Sequence, residues 1–262
     1  MFADLSFWAY LVVALALTHT TLASVTIFLH RHQAHHAVHL HPIASQCFRF
    51  WLWLTTGIIT REWVAIHRKH HARVETADDP HSPRMLGIKK VLTEGAELYR
   101  REARNTETLA RFGHETPDDW IERNLYAKRS WHGIFILLVL NLCLFGAPGL
   151  TIWAVQMIWI PFFAAGVING AGHYCGYRNF ETPDASTNII PLGILIGGEE
   201  LHNNHHAFAS SARFSSRWYE VDLGWCYIRA MQALGLARVR KLPPVPLIDR
   251  GKQHIDLETV RA

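Results

Sequence analysis

Cysteine is scarce in this chain: four residues in 262, Cys47, Cys143, Cys175 and Cys226, and no C-x-x-C pair among them. That excludes a disulfide framework and a thiolate zinc site, and leaves the four as small apolar packing residues. Charge is sparse as well. Charged residues make up 18% against 49% hydrophobic, more apolar and less charged than an ordinary soluble domain. The net charge of +4 is too slight to argue for nucleic acid, and no basic stripe interleaved with aromatics lies on a polar face. Flavin, haem and NAD motifs are missing too, so any electrons must come from a separate partner.

Long apolar runs are present. Leu5 to Leu29 is long enough for one bilayer crossing, for which about 20 residues are needed. It lacks the basic start and small-residue cleavage site of a secretory signal, so it reads as a retained span. A second apolar stretch divides at "GAPG" into spans over 131–145 and 149–168, a helical hairpin whose turn carries no Lys or Arg. Arg61 to Arg129 is rich in Lys and Arg, which puts that segment and both ends of the hairpin in the cytoplasm. Pro161 is expected to kink the last span. Ten Trp and thirteen Phe suit interfacial belts.

Residues 43–66 are apolar only over Phe50 to Ile59, with Arg49 and Arg61 on either side. A crossing there would separate the histidines before it from those after it, so this segment reads as in-plane or re-entrant. The predicted architecture is all-α: an integral membrane helical bundle of about three spans plus in-plane helices, under a cytoplasmic helical cap formed by 67–130 and 174–245. One domain covers 1–245, and 246–262 is a tail with a Pro-rich start at "KLPPVP".

The unusual count is histidine, at eighteen. "HRKHH" and "HNNHH" repeat one H-x-x-H-H phrase, His67, His70 and His71 in the first and His202, His205 and His206 in the second. On a helix, residues i and i+4 share a face. His67 with His71, and His202 with His206, can therefore each hold one ion, while His70 and His205 point aside towards another. Two such helices face to face make a binuclear site with crossed ligation. "LHRHQAHHAVHLHP" adds His30, His32, His35, His36, His39 and His41, and "NGAGHYCG" adds Asn169 and His173 at i and i+4. All four clusters lie at predicted cytoplasmic ends of apolar runs. His19, His81, His114, His132 and His254 stand alone and read as structural or solvated.

This ordered pattern, with "DDPHSP" after the second box and "GEELHNNHH" at the third, resembles the integral-membrane fatty acid desaturases, nearest the bacterial delta-9 branch acting on phospholipid or CoA-linked acyl chains. The resemblance implies nine histidine ligands and two iron ions. His30, His35, His67, His71 and His205 would hold one iron. His70, His173, His202 and His206, with Asn169 through a water, would hold the other. In a regular helix His30 and His35 sit about 140° apart, so sharing an ion requires a bend or a helix end there. Asp79 either supports a ligand imidazole or caps a turn, and His36, with His32, His39 and His41, is a supporting or interfacial residue.

The implied reaction is O2-dependent introduction of a cis double bond, delta-9 by resemblance, at an apolar tunnel whose wall could include Trp153, Trp159 and Phe163. The implied partners are membrane phospholipid acyl chains or acyl-CoA, O2, and an external ferredoxin- or cytochrome-type donor with its reductase. The implied location is the bacterial inner membrane, with the site facing the cytoplasm. Two alternatives remain: a histidine-box hydroxylase of alkanes, sterols or carotenoids, and, more distantly, a divalent-metal transporter or sensor. Transporters place ligands at the bilayer midplane, which the terminal position of these clusters argues against.

Overall fold

The computed structural model describes residues 4–244; the expected tail over 246–262 lies outside the described residues. The first helix, α1, runs from Phe7 to Ser24, with the Ser6 side chain accepting the Ala9 N–H as its N-cap. Thr18, Thr21 and Ser24 are buried on it, and each hydroxyl donates to the carbonyl four residues back, so these polar groups are satisfied without leaving the helix. From Val25 to Ala34 the hydrogen bonding widens to the i→i+5 pattern of a π-helix, closed by the His35 N–H on the His30 carbonyl at 3.1 Å. The helical rod is thus 28 residues long, Phe7–Ala34, and carries the first histidine box inside it.

After a short strand, β1 (Val38–Leu40), α2 spans Pro42–Thr56 and is capped by the His41 side chain and begun by Pro42. Gly57, at φ 63°, ends α2 in the left-handed conformation, and α3 (Thr60–Arg73) carries the second box in its last two turns. His35, ahead of this helix pair, and His67, near its end, lie 2.7 Å apart. The chain between the first two boxes therefore brings their histidines back together.

Three helices follow: α4 (Pro83–Leu86), α5 (Ile88–Ala103) and α6 (Thr106–Phe112). Arg68 ties this part to the first box, donating to the Gln33, Ala34, Phe112 and His114 carbonyls. The hairpin is α7 (Ser130–Phe145) and α8 (Ala147–Ile160), turning at Gly146. Gly149 sits so close to α7 that an added Cβ would meet the Asn141 carbonyl oxygen at 2.1 Å, and the Trp153 indole donates to the Ile134 carbonyl. Pro161 starts a third π stretch (Pro161–Ile168), after a short one at Glu122–Tyr126, and it runs into α9 (Asn169–Ala171). The distortion expected at this proline therefore takes the form of a change of helical type. α5 packs directly on that stretch: a Cβ at Gly95 would lie 2.4 Å from the Ala165 carbonyl oxygen.

Among the described residues two helices are long and apolar enough to cross a membrane, Phe7–Ala34 and Ala147–Ala171; α7 is apolar but has 16 residues. At 1.5 Å per residue that is about 24 Å, against roughly 30 Å of hydrocarbon. Of the three spans expected, two helices have spanning length, and α7 falls short of it.

The last region differs most from expectation. Residues 174–201 are largely irregular; α10 (His202–Ala207) and α11 (Leu223–Ala233) are the helices that follow. The Asn203 side chain takes the Asn179 and Phe180 N–H groups, Asn188 takes that of Asn204, and Glu220 takes those of Ser216 and Arg217. Side-chain acceptors replace the helical ladder, so the backbone is satisfied without regular structure. The fold is also not purely α. β1 pairs antiparallel with β4 (Ala237–Val239), and β2 (Leu192–Gly193) pairs parallel with β3 (Val221–Asp222). The apolar core, including Phe28, Leu52, Ile160, Ile168 and Ile228, lies among α1, α2, α8 with its π continuation, and α11.

Candidate metal centre

Two groups of histidines converge beside this core. The nitrogens of His30, His35, His67, His71 and His205 lie within 4.8 Å of one another, and so do those of His70, His173, His202 and His206. The membership is the same as the partition implied by the sequence resemblance. The groups share a wall: the His71 and His206 rings stack with centroids 4.5 Å apart.

The π-helical geometry explains how His30 and His35 meet. An i→i+5 hydrogen bond brings residues five apart onto one face, and their ring centroids are 4.9 Å apart. In α3, His67 and His71 share a face at i and i+4, and Trp63, one turn earlier, stacks on His67 at 13°. His70 points to the other group. α10 divides its histidines the opposite way, His205 to the first group and His202 and His206 to the second. Asn169 begins α9, half-buried and four residues before His173.

The nitrogen contacts do not suit hydrogen bonds alone. His205 Nε2 is 3.0 Å from His30 Nε2 and 2.9 Å from His71 Nε2. A neutral ring nitrogen is either one donor or one acceptor, and Nε2 atoms gathered in this way exceed the protons able to link them. Two donors at right angles, each about 2.1 Å from a metal ion, would be about 3 Å apart. In the second group His202 Nε2 and His173 Nε2 are 3.0 Å apart, while His70 Nε2 and His206 Nε2 are buried with no protein partner. Inward-facing orphaned nitrogens of this kind fit metal ions. Imidazole itself suits iron, zinc, copper and nickel alike.

Burial first, and mutual repulsion second, hold the imidazoles of His35, His67, His70, His71, His202, His205 and His206 well below their ordinary pKa. They are neutral at pH 7, the form that binds a cation.

Carboxylates lie behind the rings. Asp79 Oδ1 accepts from His70 Nδ1 at 3.0 Å and from the His81 N–H, while Oδ2 accepts the Glu75 N–H, so it both supports a ring and closes a turn. Glu199 accepts from His30 Nδ1 at 2.6 Å, and Asp184 from His206 Nδ1 at 2.9 Å. Burial opposes the charge on Glu199 and on Asp184, but His30 and His206 outweigh it and hold both below the usual carboxylate range. Glu75 lies 3.5 Å from His173 Nδ1, an electrostatic contact too long and poorly aligned for a hydrogen bond. Sequence reasoning missed Glu199, three residues before His202 and a visible hint, and Asp184, for which "ETPDAS" offers none.

A third gathering, His70, Asp79 and His81, is explained without an ion. Asp79 already accepts from His70 Nδ1, and the His81 ring lies against that of His70, centroids 4.4 Å apart. Burial lowers the His81 pKa to about 3. His81 is therefore packed beside the site and does not stand alone as its spacing suggested. His36, at φ 51°, accepts from Arg68 and neighbours Glu115, on the outer side of the first box. His32 binds the Val38 carbonyl, and His41 caps α2.

Comparison with known proteins agrees with this arrangement. The family model for fatty acid desaturase matches residues 6–241. The chain is 34% identical over 186 residues to the sn-1 stearoyl-lipid 9-desaturase of Anabaena variabilis, covering 69% of this chain and 65% of the relative. It is 34% identical over 223 residues to the Delta-9 desaturase-like 2 protein of Arabidopsis thaliana, covering 84% and 72%. To the Delta-9 desaturase-like 4 protein of the same plant it is 29% identical over 246 residues, covering 90% and 78%.

Proposed function

The chain belongs to the fatty acid desaturase family, and from that premise we propose that it introduces a cis double bond at the delta-9 position of saturated acyl chains held in membrane lipid. Family membership points to an oxidoreductase acting on fatty acids, with O2 and an electron donor. The finer reading rests on one observation: two adjacent nests of buried and half-buried histidines, five and four strong. Relatives in Anabaena variabilis and Synechocystis are sn-1 stearoyl-lipid 9-desaturases, which supports both lipid-bound substrate and delta-9 placement.

In this proposal His30, His35, His67, His71 and His205 hold one iron, and His70, His173, His202 and His206, with Asn169 through a water, hold the other. With both irons bound, the site supplies an O2-derived oxidant able to take two hydrogens from an unactivated CH2–CH2 pair: R–CH2–CH2–R′ + O2 + 2 e⁻ + 2 H⁺ gives R–CH=CH–R′ + 2 H2O. The chain's own residues do the positioning. Asp79, Glu199 and Asp184 fix ring orientation and tautomer by accepting hydrogen bonds from Nδ1–H. Trp63 holds the His67 ring flat against it. Burial of His30, His70, His173, His202 and His205 keeps water from the reactive volume. Both helices of spanning length end at histidine boxes, which supports a site at one membrane face, and the basic segment 61–129 supports the cytoplasmic one. A small acidic redox protein is the proposed donor.

The test is the fatty-acid profile of a desaturase-deficient host expressing the chain, with His202→Ala as control. New double bonds at carbon 9, a loss of about 2 Da per chain, are expected with the wild type alone. A gain of about 16 Da would establish a hydroxylase instead, and an unchanged profile despite good expression overturns the proposal.

A further inference from the structure

Three of the nine rings share one wiring. His30, His70 and His206 each turn Nδ1 outward onto a carboxylate, at 2.6, 3.0 and 2.9 Å, and Nε2 inward. His30 Nε2 lies in the five-histidine nest, 3.0 Å from His205 Nε2, and the Nε2 atoms of His70 and His206 are buried in the four-histidine nest with no protein partner. A carboxylate that accepts the Nδ1 proton makes Nε2 a stronger donor to a metal ion.

The carboxylates are themselves fixed. Glu199 Oε1 also accepts the Thr26 hydroxyl at 2.6 Å, and the carboxylate is buried. Asp184 Oδ1 accepts the Thr182 hydroxyl at 2.8 Å and the Ser186 N–H at 2.9 Å, leaving Oδ2 for His206. Neither carboxylate bridges the nests. Glu199 bonds to a ring of the five-histidine group only, and Asp184 to a ring of the four-histidine group only.

We infer that Glu199 and Asp184 are positioning residues with separate charges, Glu199 securing the ion held by His30 and its four partners, Asp184 the ion held by His206 and its three. This rests on the proposed di-iron reading. The consequence is that each ion can be loosened alone. Glu199→Gln and Asp184→Asn keep side-chain volume and remove the charge. Each exchange weakens one ion about 10- to 100-fold and leaves the other as it was.

The iron-loaded full chain in detergent is mixed with excess chelator, and iron release is followed by absorbance, with 57Fe Mössbauer spectra of the starting samples. Each single variant is expected to release half of its iron faster than wild type and to alter one of two spectral components, a different one in each variant. The double variant should release all of it quickly. Thr26→Val and Thr182→Val keep the charges but remove one donor to each carboxylate; they should reproduce the same halves with smaller accelerations, and they carry the test if the carboxamide variants do not fold. The inference is overturned if both single variants loosen the same half, so that the double variant still retains the other, or if no variant changes release. A wild-type chain that never holds two irons would instead overturn the di-iron reading.

Discussion

The Nε2 atoms of His35 and His67, which belong to residues 32 apart in the chain, lie 2.7 Å from each other. His35 closes the π-helical end of the first apolar rod, and His67 sits in α3 after an out-and-back excursion through α2. Both imidazoles are held neutral by burial and by neighbouring rings. One N–H···N hydrogen bond can join two neutral rings, but five ring nitrogens within 4.8 Å of one another exceed what such bonds link and fit a shared ion.

The lowered pKa values set a pH dependence. His35, His67, His70, His71, His202, His205 and His206 have an unfolded pKa near 6.5 and a folded pKa below it, so as pH falls through about 6.5 the unfolded chain takes up protons that the folded chain refuses. Stability contributed by these groups is complete above that pH and is lost below it, by up to about 1.4 kcal/mol per pH unit for each histidine concerned. Thermal unfolding of the metal-free protein should therefore move to lower temperature between pH 7.5 and 5.5, and iron retention should fall over the same range. A melting temperature that rises on acidification would contradict the buried, neutral nests.

Ligand and bystander histidines should separate cleanly. His67→Ala is expected to reduce iron to about half of the wild-type content or less. His36→Ala, in the Arg68 and Glu115 contact, and His81→Phe, which keeps the stack on His70, should leave it unchanged. Metal analysis of purified protein decides this, and iron loss in His81→Phe would revive the third gathering as an ion site.

Arg31 and Asp222 form a doubly hydrogen-bonded pair with both side chains fully buried, and Phe214 lies 3.8 Å from the guanidinium. Removing one partner strands a charge, so Asp222→Asn or Arg31→Met should cost about 3–5 kcal/mol. The double variant should recover part of that loss. Chemical or thermal unfolding in detergent gives the comparison, and additive single losses would argue against a coupled pair.

Gly95 permits contact between α5 and the π stretch after Pro161. Alanine is the better helix former by about 1 kcal/mol, yet its Cβ would meet the Ala165 carbonyl oxygen at 2.4 Å. Gly95→Ala is expected to destabilise by about 1–3 kcal/mol despite the propensity gain. An increased melting temperature would mean that the two helices are free to separate.

The spacing of H-x-x-H-H was enough to locate α3 and α10 as donors of crossed pairs, because helical periodicity alone decides which histidines share a face. His30 with His35 was not accessible to the same reasoning: five-residue spacing fails on an α-helix, and nothing in "LHRHQAHH" announces the π geometry. The irregular chain over 174–201 was equally hidden. Its backbone is satisfied by asparagine and glutamate side chains distant in sequence, and such pairings leave no periodic trace.

Residue order and type were sufficient for the apolar rods, the histidine phrases, and the kind of chemistry that imidazole clusters at the ends of apolar runs can support, since these depend on local periodicity and ligand preference. Which ring meets which, and which carboxylate stands behind it, was settled by packing. Asp184 and His206 lie 22 residues apart, and His30 and Glu199 169 apart; such pairs form when tertiary packing brings the first box, the irregular chain over 174–201 and α10 to one place, and short-range rules carry no information about that distance.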